Sequence, residues 1–306
     1  MNTLTKVNQN IAAIGLGSMG YGIAASAVRG GHNVWGVDIN PDQMARFVRD
    51  GGQAGLLADA IDTLDVVIVA VLNAAQTETV LFGEQGIVGQ LNKGAAVLSC
   101  ATVPPAFAKD MAARCAALGV LYLDAPISGG SAKAAAGKLS IMASGTPDAF
   151  AKLQPTLDSI AETVFALGDE AGAGSAMKAV NQLLAGVHIA AMAEALTFGM
   201  TQGVTPDKFV EVISKCAGTS WMLENRAPHI AAGDYTPHSS VNIWPKDLGI
   251  VLDIAKEAQF AAPITTAALG QFAAAAAMGL GAEDDAAVAK VYARNVGLTL
   301  PGAAKA

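Results

Sequence analysis

A lysine, an asparagine and a glutamine interrupt an otherwise small and apolar run, Gly172-Ala-Gly-Ser-Ala-Met-Lys178-Ala-Val-Asn181-Gln182. On a helix, the i, i+3 and i+4 spacing brings all three to one face. An exposed lysine titrates near pH ~10.4. Burial away from carboxylates favours the neutral amine, which can exchange a proton with an alcohol while neighbouring amides hold the reactant. A patch that merely solvates one helical turn would use the same residue types. A second candidate lies near the start, in Gly15-Leu16-Gly17-Ser18-Met19-Gly20. In a strand–loop–helix setting, Gly15 permits the sharp turn, Gly17 admits a pyrophosphate to the backbone, and Gly20 allows close helix–strand packing. The following helix N-terminus offers free N–H groups to the phosphates. Asp38 closes the next strand, where a carboxylate accepts from ribose hydroxyls and repels a 2′-phosphate. Arg46 and Arg49 fall in the helix beyond it, so NAD is expected over NADP. Such a loop can also be a simple tight turn, or belong to flavin or methyltransferase domains, so alone it names no reaction.

These residues need elements to position them. The first half of the chain alternates β-branched runs with helical stretches. Strands are expected at Ile11–Ile14, Val34–Val37, Val66–Val71, Ala96–Ser99, Val120–Leu123, Leu139–Ala143 and Thr163–Ala166. Helices are expected near Tyr21–Arg29, Asp42–Arg49, Ala106–Leu118 and Pro147–Ile160. Asn40 as N-cap, Pro41 at the first helical position and Gln43 mark one helix start. Continuous apolar strands between helices indicate a parallel sheet covered on both faces. After Gly168 only helical periodicity remains, over roughly 175–202, 206–216, 220–231, 244–258, 263–278 and 284–295. The boundary is placed between Gly168 and Gly174, giving an α/β domain over 1–170 and an all-helical domain over 171–306.

Composition narrows the function classes. The chain has 306 residues, 52% hydrophobic and 15% charged, enough for a sizeable core and too apolar for disorder. Nineteen basic against 26 acidic residues give a net charge of −7, without a basic run, so a nucleic-acid partner is not expected. Mean hydropathy is +0.41. Val66–Leu72 is too short to cross a bilayer, and Met177–Met200 carries Asn181, Gln182, His188 and Glu194, reading as a buried helix of a non-membrane protein. Met1–Asn10 has no apolar stretch and is not expected to be a signal peptide. The three cysteines, Cys100, Cys115 and Cys216, are widely spaced, suiting a reducing, cytoplasmic setting. His32, His188, His229 and His238 show no ligand spacing, and no metal is expected. Glu283-Asp284-Asp285 is expected to start a helix, with its charge favouring the dipole.

Four separated motifs together resemble the β-hydroxyacid dehydrogenase family, which includes 3-hydroxyisobutyrate dehydrogenase, tartronate semialdehyde reductase and 6-phosphogluconate dehydrogenase. They are Gly15–Gly20, Asp124-Ala-Pro-Ile-Ser128-Gly129-Gly130, the Lys178 segment, and Lys246-Asp247-Leu248. The resemblance implies an N-terminal Rossmann-type domain and an all-helical C-terminal substrate and oligomerisation domain joined by a long helix, with Lys178 as the general acid/base, Asn181 orienting the substrate, and the Ser128, Gly129, Gly130 loop holding its carboxylate. It also implies cofactor contacts at Gly15 through Gly20 (including Leu16, Ser18 and Met19), Asp38, Leu72, Asn73, Thr102 and Lys246. Ser99-Cys100-Ala101-Thr102 departs from the family's Asp-x-Ser-Thr, and Gln182 replaces a frequent second asparagine.

The runs Asn181–His188, Thr219–Arg226 and Gly233–Pro237, with Glu283–Asp285 and Lys290–Tyr292, are similar to the branch that oxidises the 2-hydroxyl of L-threonate with NAD, giving 2-dehydro-L-erythronate. Gln182, Trp221 and Asn225 would suit a polyhydroxylated four-carbon acid, and the apolar helical half suggests a homodimer or homotetramer. Another short hydroxyacid (3-hydroxyisobutyrate, D-glycerate with tartronate semialdehyde, an erythronate), imine reduction and a non-catalytic NAD-binding regulator are the alternatives.

Overall fold

The computed structural model describes residues 8–302, so the first seven residues of the stretch assessed as a leader lie outside it. The chain divides into two compact units, Met1–Lys178 and Ala179–Ala306.

In the first unit the chain runs β1 (Asn10–Ile14), α1 (Gly20–Gly30), β2 (Asn33–Val37), α2 (Pro41–Arg49), β3 (Val66–Val69), α3 (Ala74–Phe82), β4 (Ala96–Ser99), α4 (Pro105–Ala117) and β5 (Leu121–Asp124). It continues with β6 (Ile127–Ser128), α5 (Gly130–Ala136), β7 (Leu139–Ala143), α6 (Pro147–Ile160), β8 (Ala161–Ala166) and the start of α7 (Ala173–Thr201). Five parallel strands form one sheet in the order β2-β1-β3-β4-β5. Along β3, Val66 and Ile68 join the core on one face, with Ile11, Ile23 and Phe47. Val67 and Val69 join the core on the other, with Leu81, Val97 and Met111. The period of two therefore buries both faces, as a parallel sheet between helix layers requires. The order reverses direction at β1/β3, which opens a crevice at the carboxyl ends of these strands.

The single parallel sheet of the sequence reading needs correction. β6, β7 and β8 form a separate sheet of three, in which β6 runs antiparallel to β7. β6 is only two residues long, and α3 and α5 are short, so none carried a readable period.

The second unit contains the rest of α7, α8 (Pro206–Ile213), α9 (Trp221–Ala232), α10 (Ile243–Glu257), α11 (Pro263–Ala275) and α12 (Ala289–Asn295). They enclose a core that includes Ile189, Met192, Leu196, Trp244, Leu248 and Phe272. A Cβ on Gly186 would lie 2.9 Å from both Leu248 and Trp244, so α7 and α10 pack at glycine distance. The 29-residue α7 is less buried than the sequence reading expects, because Met177, Val180, Leu184 and Phe198 are exposed. By length and composition alone, α7 and the stretch from Pro263 to Leu280 could each cross a membrane.

The division falls inside α7 rather than after residue 170, and the buried Asp124 at the end of β5 supplies the reason. Its Oδ2 accepts from the backbone N–H of Gly172 (2.9 Å) and Ser175 (2.8 Å), and its Oδ1 accepts from the Ser175 hydroxyl (2.7 Å). Ser144 donates to Oδ2 at 3.3 Å while accepting from Gly174 N–H at 2.9 Å. The N–H groups that every helix start leaves without an intrahelical partner are thus bound to the Rossmann-type unit. Burial pushes the Asp124 carboxyl above its ordinary pKa, with the Ser175, Gly172 and Ser144 donors pulling the other way. A raised folded-state value means that the ionised form costs folded-state stability above it, and that stability rises as pH falls through it. Asp124→Asn should cost about 1–3 kcal/mol in urea unfolding at neutral pH by leaving a donor unmatched. The wild-type advantage should grow as pH falls from that raised value toward the ordinary carboxylate range, and a pH-independent difference would contradict this.

Candidate active site

The glycine loop leaves β1 and enters α1. Gly15 has φ +93°, and a Cβ there would lie 2.6 Å from the Ala70 carbonyl oxygen. On Gly20 a Cβ would lie 1.8 Å from the Gly15 carbonyl oxygen. Both glycines are therefore demanded by the fold. Gly17 differs, since a Cβ there meets no atom within 4 Å. No internal contact explains that glycine, which suits a backbone left bare for a diphosphate. Leu16, Gly17 and Ser18 line a cleft of about 450 Å³ together with Tyr21, Gln43 and Arg46.

Asp38, just past β2, accepts from Leu16 N–H (2.7 Å, Oδ2) and Asn40 N–H (2.8 Å, Oδ1). A carboxylate oxygen has two lone pairs, so both oxygens retain capacity for ribose hydroxyls. Asn40 caps α2 as expected, accepting from Asp42 N–H, while Gln43 turns toward the cleft. Arg46 lies nearer the site than the sequence suggests, with its guanidinium 4.3 Å from the Tyr21 ring centre on the cleft wall. Leu72 and Asn73 follow β3, and Thr102 follows β4, at the carboxyl ends of the strands. Asn73 also caps α3, accepting from Gln76 N–H at 2.9 Å. The residues present fit an NAD(P) cofactor.

Lys178 is buried one turn into α7, and its Nζ donates to the Ile127 carbonyl at 2.9 Å. That carbonyl adjoins Ser128, Gly129 and Gly130, where φ values of +129° and +74° at the two glycines turn the chain out of β6 into α5. Lys178 and the predicted carboxylate loop are therefore brought together. In the second unit, Asn181 Nδ2 donates to Gln182 Oε1 at 2.9 Å, and Gln182 Nε2 donates to Asp247 Oδ2. Lys246 Nζ lies 2.6 Å from Asp247 Oδ1, so one buried carboxylate serves both predicted residues. Sequence reading used Asp247 only as part of a motif and missed this role. Trp221 and Asn225 share an exposed face of α9, with Asn225 Oδ1 also accepting from Arg226. Trp244 belongs to the core, stacked on Phe272. Burial pushes the thiols of Cys100 and Cys115 up to about 12, which keeps both inert.

Comparison with known proteins identifies the family. Residues 10–168 match the NAD binding domain of 6-phosphogluconate dehydrogenase, and residues 172–292 match the NAD-binding domain of NADP-dependent 3-hydroxyisobutyrate dehydrogenase. The chain is 47% identical over 300 residues to L-threonate dehydrogenase of Cupriavidus necator, covering 98% of this chain and 100% of that one. It is 45% identical over 297 residues to L-threonate dehydrogenase of Escherichia coli K12 (96% and 97% covered). A crystal structure of 3-hydroxyisobutyrate dehydrogenase from Salmonella typhimurium superposes with a TM-score of 0.87 at 43% identity, covering 93% of this chain and 100% of that one.

The glycine geometry separates two effects. Gly20→Ala should destabilise the protein by roughly 1–3 kcal/mol or more through overpacking. Gly17→Ala should leave the melting temperature within about a degree of wild type while weakening NADH binding at least about tenfold. Calorimetric melting and NADH fluorescence titration check both, and a Gly17→Ala chain that binds NADH normally would contradict the assignment.

Proposed function

Because the chain belongs to the 3-hydroxyisobutyrate dehydrogenase family of NAD(P)-dependent hydroxyacid dehydrogenases, we propose that it oxidises the 2-hydroxyl of L-threonate with NAD, giving 2-dehydro-L-erythronate. The observation that carries the reading is Lys178, buried and aimed at the peptide beside the Ser128–Gly130 loop. A bound nicotinamide supplies the hydride-accepting chemistry. The Ser128 hydroxyl and the loop's backbone N–H groups hold the substrate carboxylate. In its neutral form, Lys178 takes the hydroxyl proton as the carbinol carbon is oxidised, and it returns that proton in the reverse direction. Asn181, three residues further along the same helical face, orients the hydroxyl. Gln182, fixed by Asp247, and the exposed Trp221 and Asn225 provide the polar and stacking surface for a four-carbon acid.

Asp38 supports NAD, since its carboxylate repels a 2′-phosphate. Arg46 on the cleft wall favours NADP as the second reading, because a guanidinium can accept that phosphate as a partner. The exposed Met177, Val180, Leu184 and Phe198 of α7 support a homodimer or homotetramer. A metabolic oxidoreductase of this kind, with three unpaired thiols of which two are buried, belongs in the cytoplasm.

Initial rates of NADH formation with L-threonate, D-threonate, D- and L-erythronate, D-glycerate and 3-hydroxyisobutyrate test the substrate, with NADP run in parallel. L-threonate with NAD should win clearly. A preference for D-glycerate or 3-hydroxyisobutyrate would overturn the roles of Gln182 and Trp221. Lys178→Ala should lower kcat by about 10²–10⁴-fold with NADH binding retained, and near-wild-type turnover would refute the acid/base assignment.

A further inference from the structure

The second unit gathers charged groups that the proposed reaction does not use. Asp284, fully buried between α11 and α12, places Oδ1 3.0 Å from His229 Nδ1 on α9. Its Oδ2 accepts from the backbone N–H of His238 at 2.9 Å. The His229 and His238 rings meet edge to face, 4.6 Å between centroids. One ligand atom from each of His229, His238 and Asp284 lies within 4.8 Å of the other two. In sequence the three stand at 229, 238 and 284, a separation that carries no ligand pattern.

We propose that His229, His238 and Asp284 form a binding site for one divalent transition-metal ion of the zinc class, which ties the loop at 234–240 to α9.

The donor set suits that class. Two imidazoles and one carboxylate are ordinary ligands for Zn²⁺, and three protein ligands leave a coordination position for water. Ligand bonds near 2.0–2.2 Å require donor atoms roughly 3.3 Å apart in a tetrahedron. His229 and Asp284 already meet that spacing, and the exposed His238 ring can close the remainder by side-chain rotation. The frame is also built. Asp284 N–H donates to Tyr235 O (2.9 Å), Asp285 N–H to Ser239 O (2.8 Å) and Val241 N–H to Glu283 O (3.0 Å), so the loop bearing His238 is held against the segment bearing Asp284.

Local charge favours a cation. Asp234 and Asp284 bring two carboxylates near the histidines, Asp285 adjoins Asp284, and Arg226 is the guanidinium among them. Arg226 is committed to Asp285 through Nε and stands 4.0 Å from Asp284. Lys290 pairs with Glu283 and lies over the Tyr235 ring. Asp284 Oδ1 also accepts from Ala286 N–H at 3.1 Å, and the carboxylate keeps lone-pair capacity for a metal ion beside His229.

The test uses the full chain without a polyhistidine tag, in a Cys216→Ser background, because that thiol is exposed and thiolates are zinc ligands. After chelator treatment, Zn²⁺ is titrated by calorimetry and Co²⁺ by visible absorption. The expected result is saturable binding of one ion per chain, a ligand-field spectrum for Co²⁺, and a melting temperature that Zn²⁺ raises. His238→Ala, an exposed position, should melt like the parent in chelator, bind Zn²⁺ at least about tenfold more weakly, and lose the Zn²⁺-induced rise. Asp284→Asn should abolish the cobalt spectrum. Absence of saturable binding, or binding that His238→Ala leaves unchanged, would overturn the site.

Discussion

The structure depends first on how one carboxylate receives one helix. Asp124 is buried at the end of β5, and without partners its charge would be expensive there. The free N–H groups at the start of α7 have the complementary problem, since no preceding turn accepts from them. Each solves the other: Gly172, Ser175 and the Ser175 hydroxyl all point at this carboxylate, and the helix dipole places partial positive charge beside it. The close seat also explains a glycine. A Cβ on Gly174 would lie 2.3 Å from the Met142 carbonyl oxygen, so α7 can reach Asp124 only with hydrogen at that position.

The consequence for chemistry is positional. Lys178 follows Ser175 by less than a turn, so fixing the helix start fixes where the lysine emerges. Asp124, Ile127 and the Ser128–Gly130 loop belong to one short stretch that leaves β5, accepts the Lys178 ammonium and turns into α5. The same seven-residue neighbourhood thus anchors the helix, orients its lysine and presents the hydroxyl and N–H donors. In the proposed reaction, a lysine held by a rigid helix against a rigid loop loses little freedom when a reactant arrives. The second unit repeats the device. Asp247 holds Gln182 and Lys246 together, while Asp285 ties Arg226 of α9 to the Trp244 indole of α10, 3.0 Å from Nε1.

Legibility in the sequence followed the range of the interaction. Gly15–Gly20, Asp38 and the Lys178 face were readable because turn geometry, strand ends and helical spacing are local. The long strands and helices were readable for the same reason, as was the change of pattern near Gly168. β6 and α5 were not, because two and seven residues carry too little periodicity. Longer-range partnerships left no trace. Asp124 appeared only as the first letter of a motif, and its work is done by residues 48 and 51 positions away. Glu283-Asp284-Asp285 reads in sequence as a helix start. Asp284 does cap the turn that follows it, accepting from Ala286 N–H, but Asp284 and Asp285 are buried against Arg226, His229 and Trp244.

The glycine loop shows how structure separates residues that sequence treats alike. Gly15 and Gly20 are prohibited from carrying a side chain by carbonyl oxygens of the protein itself, so their presence reports only that β1 turns tightly into α1. Gly17 is under no such prohibition. Selection of glycine where the fold allows any small side chain points to something outside the fold that occupies the space, and the adjacent cleft and the spare lone pairs of Asp38 are where that something would lie. The same reasoning applies to charge. Asp124 and Asp285 are matched by donors from the fold, whereas the side chain nearest to Asp284 is an imidazole, and Arg226, 4.0 Å away, is committed to Asp285. A glycine or a carboxylate that the chain's own packing accounts for describes the scaffold, and one that it does not account for describes a ligand.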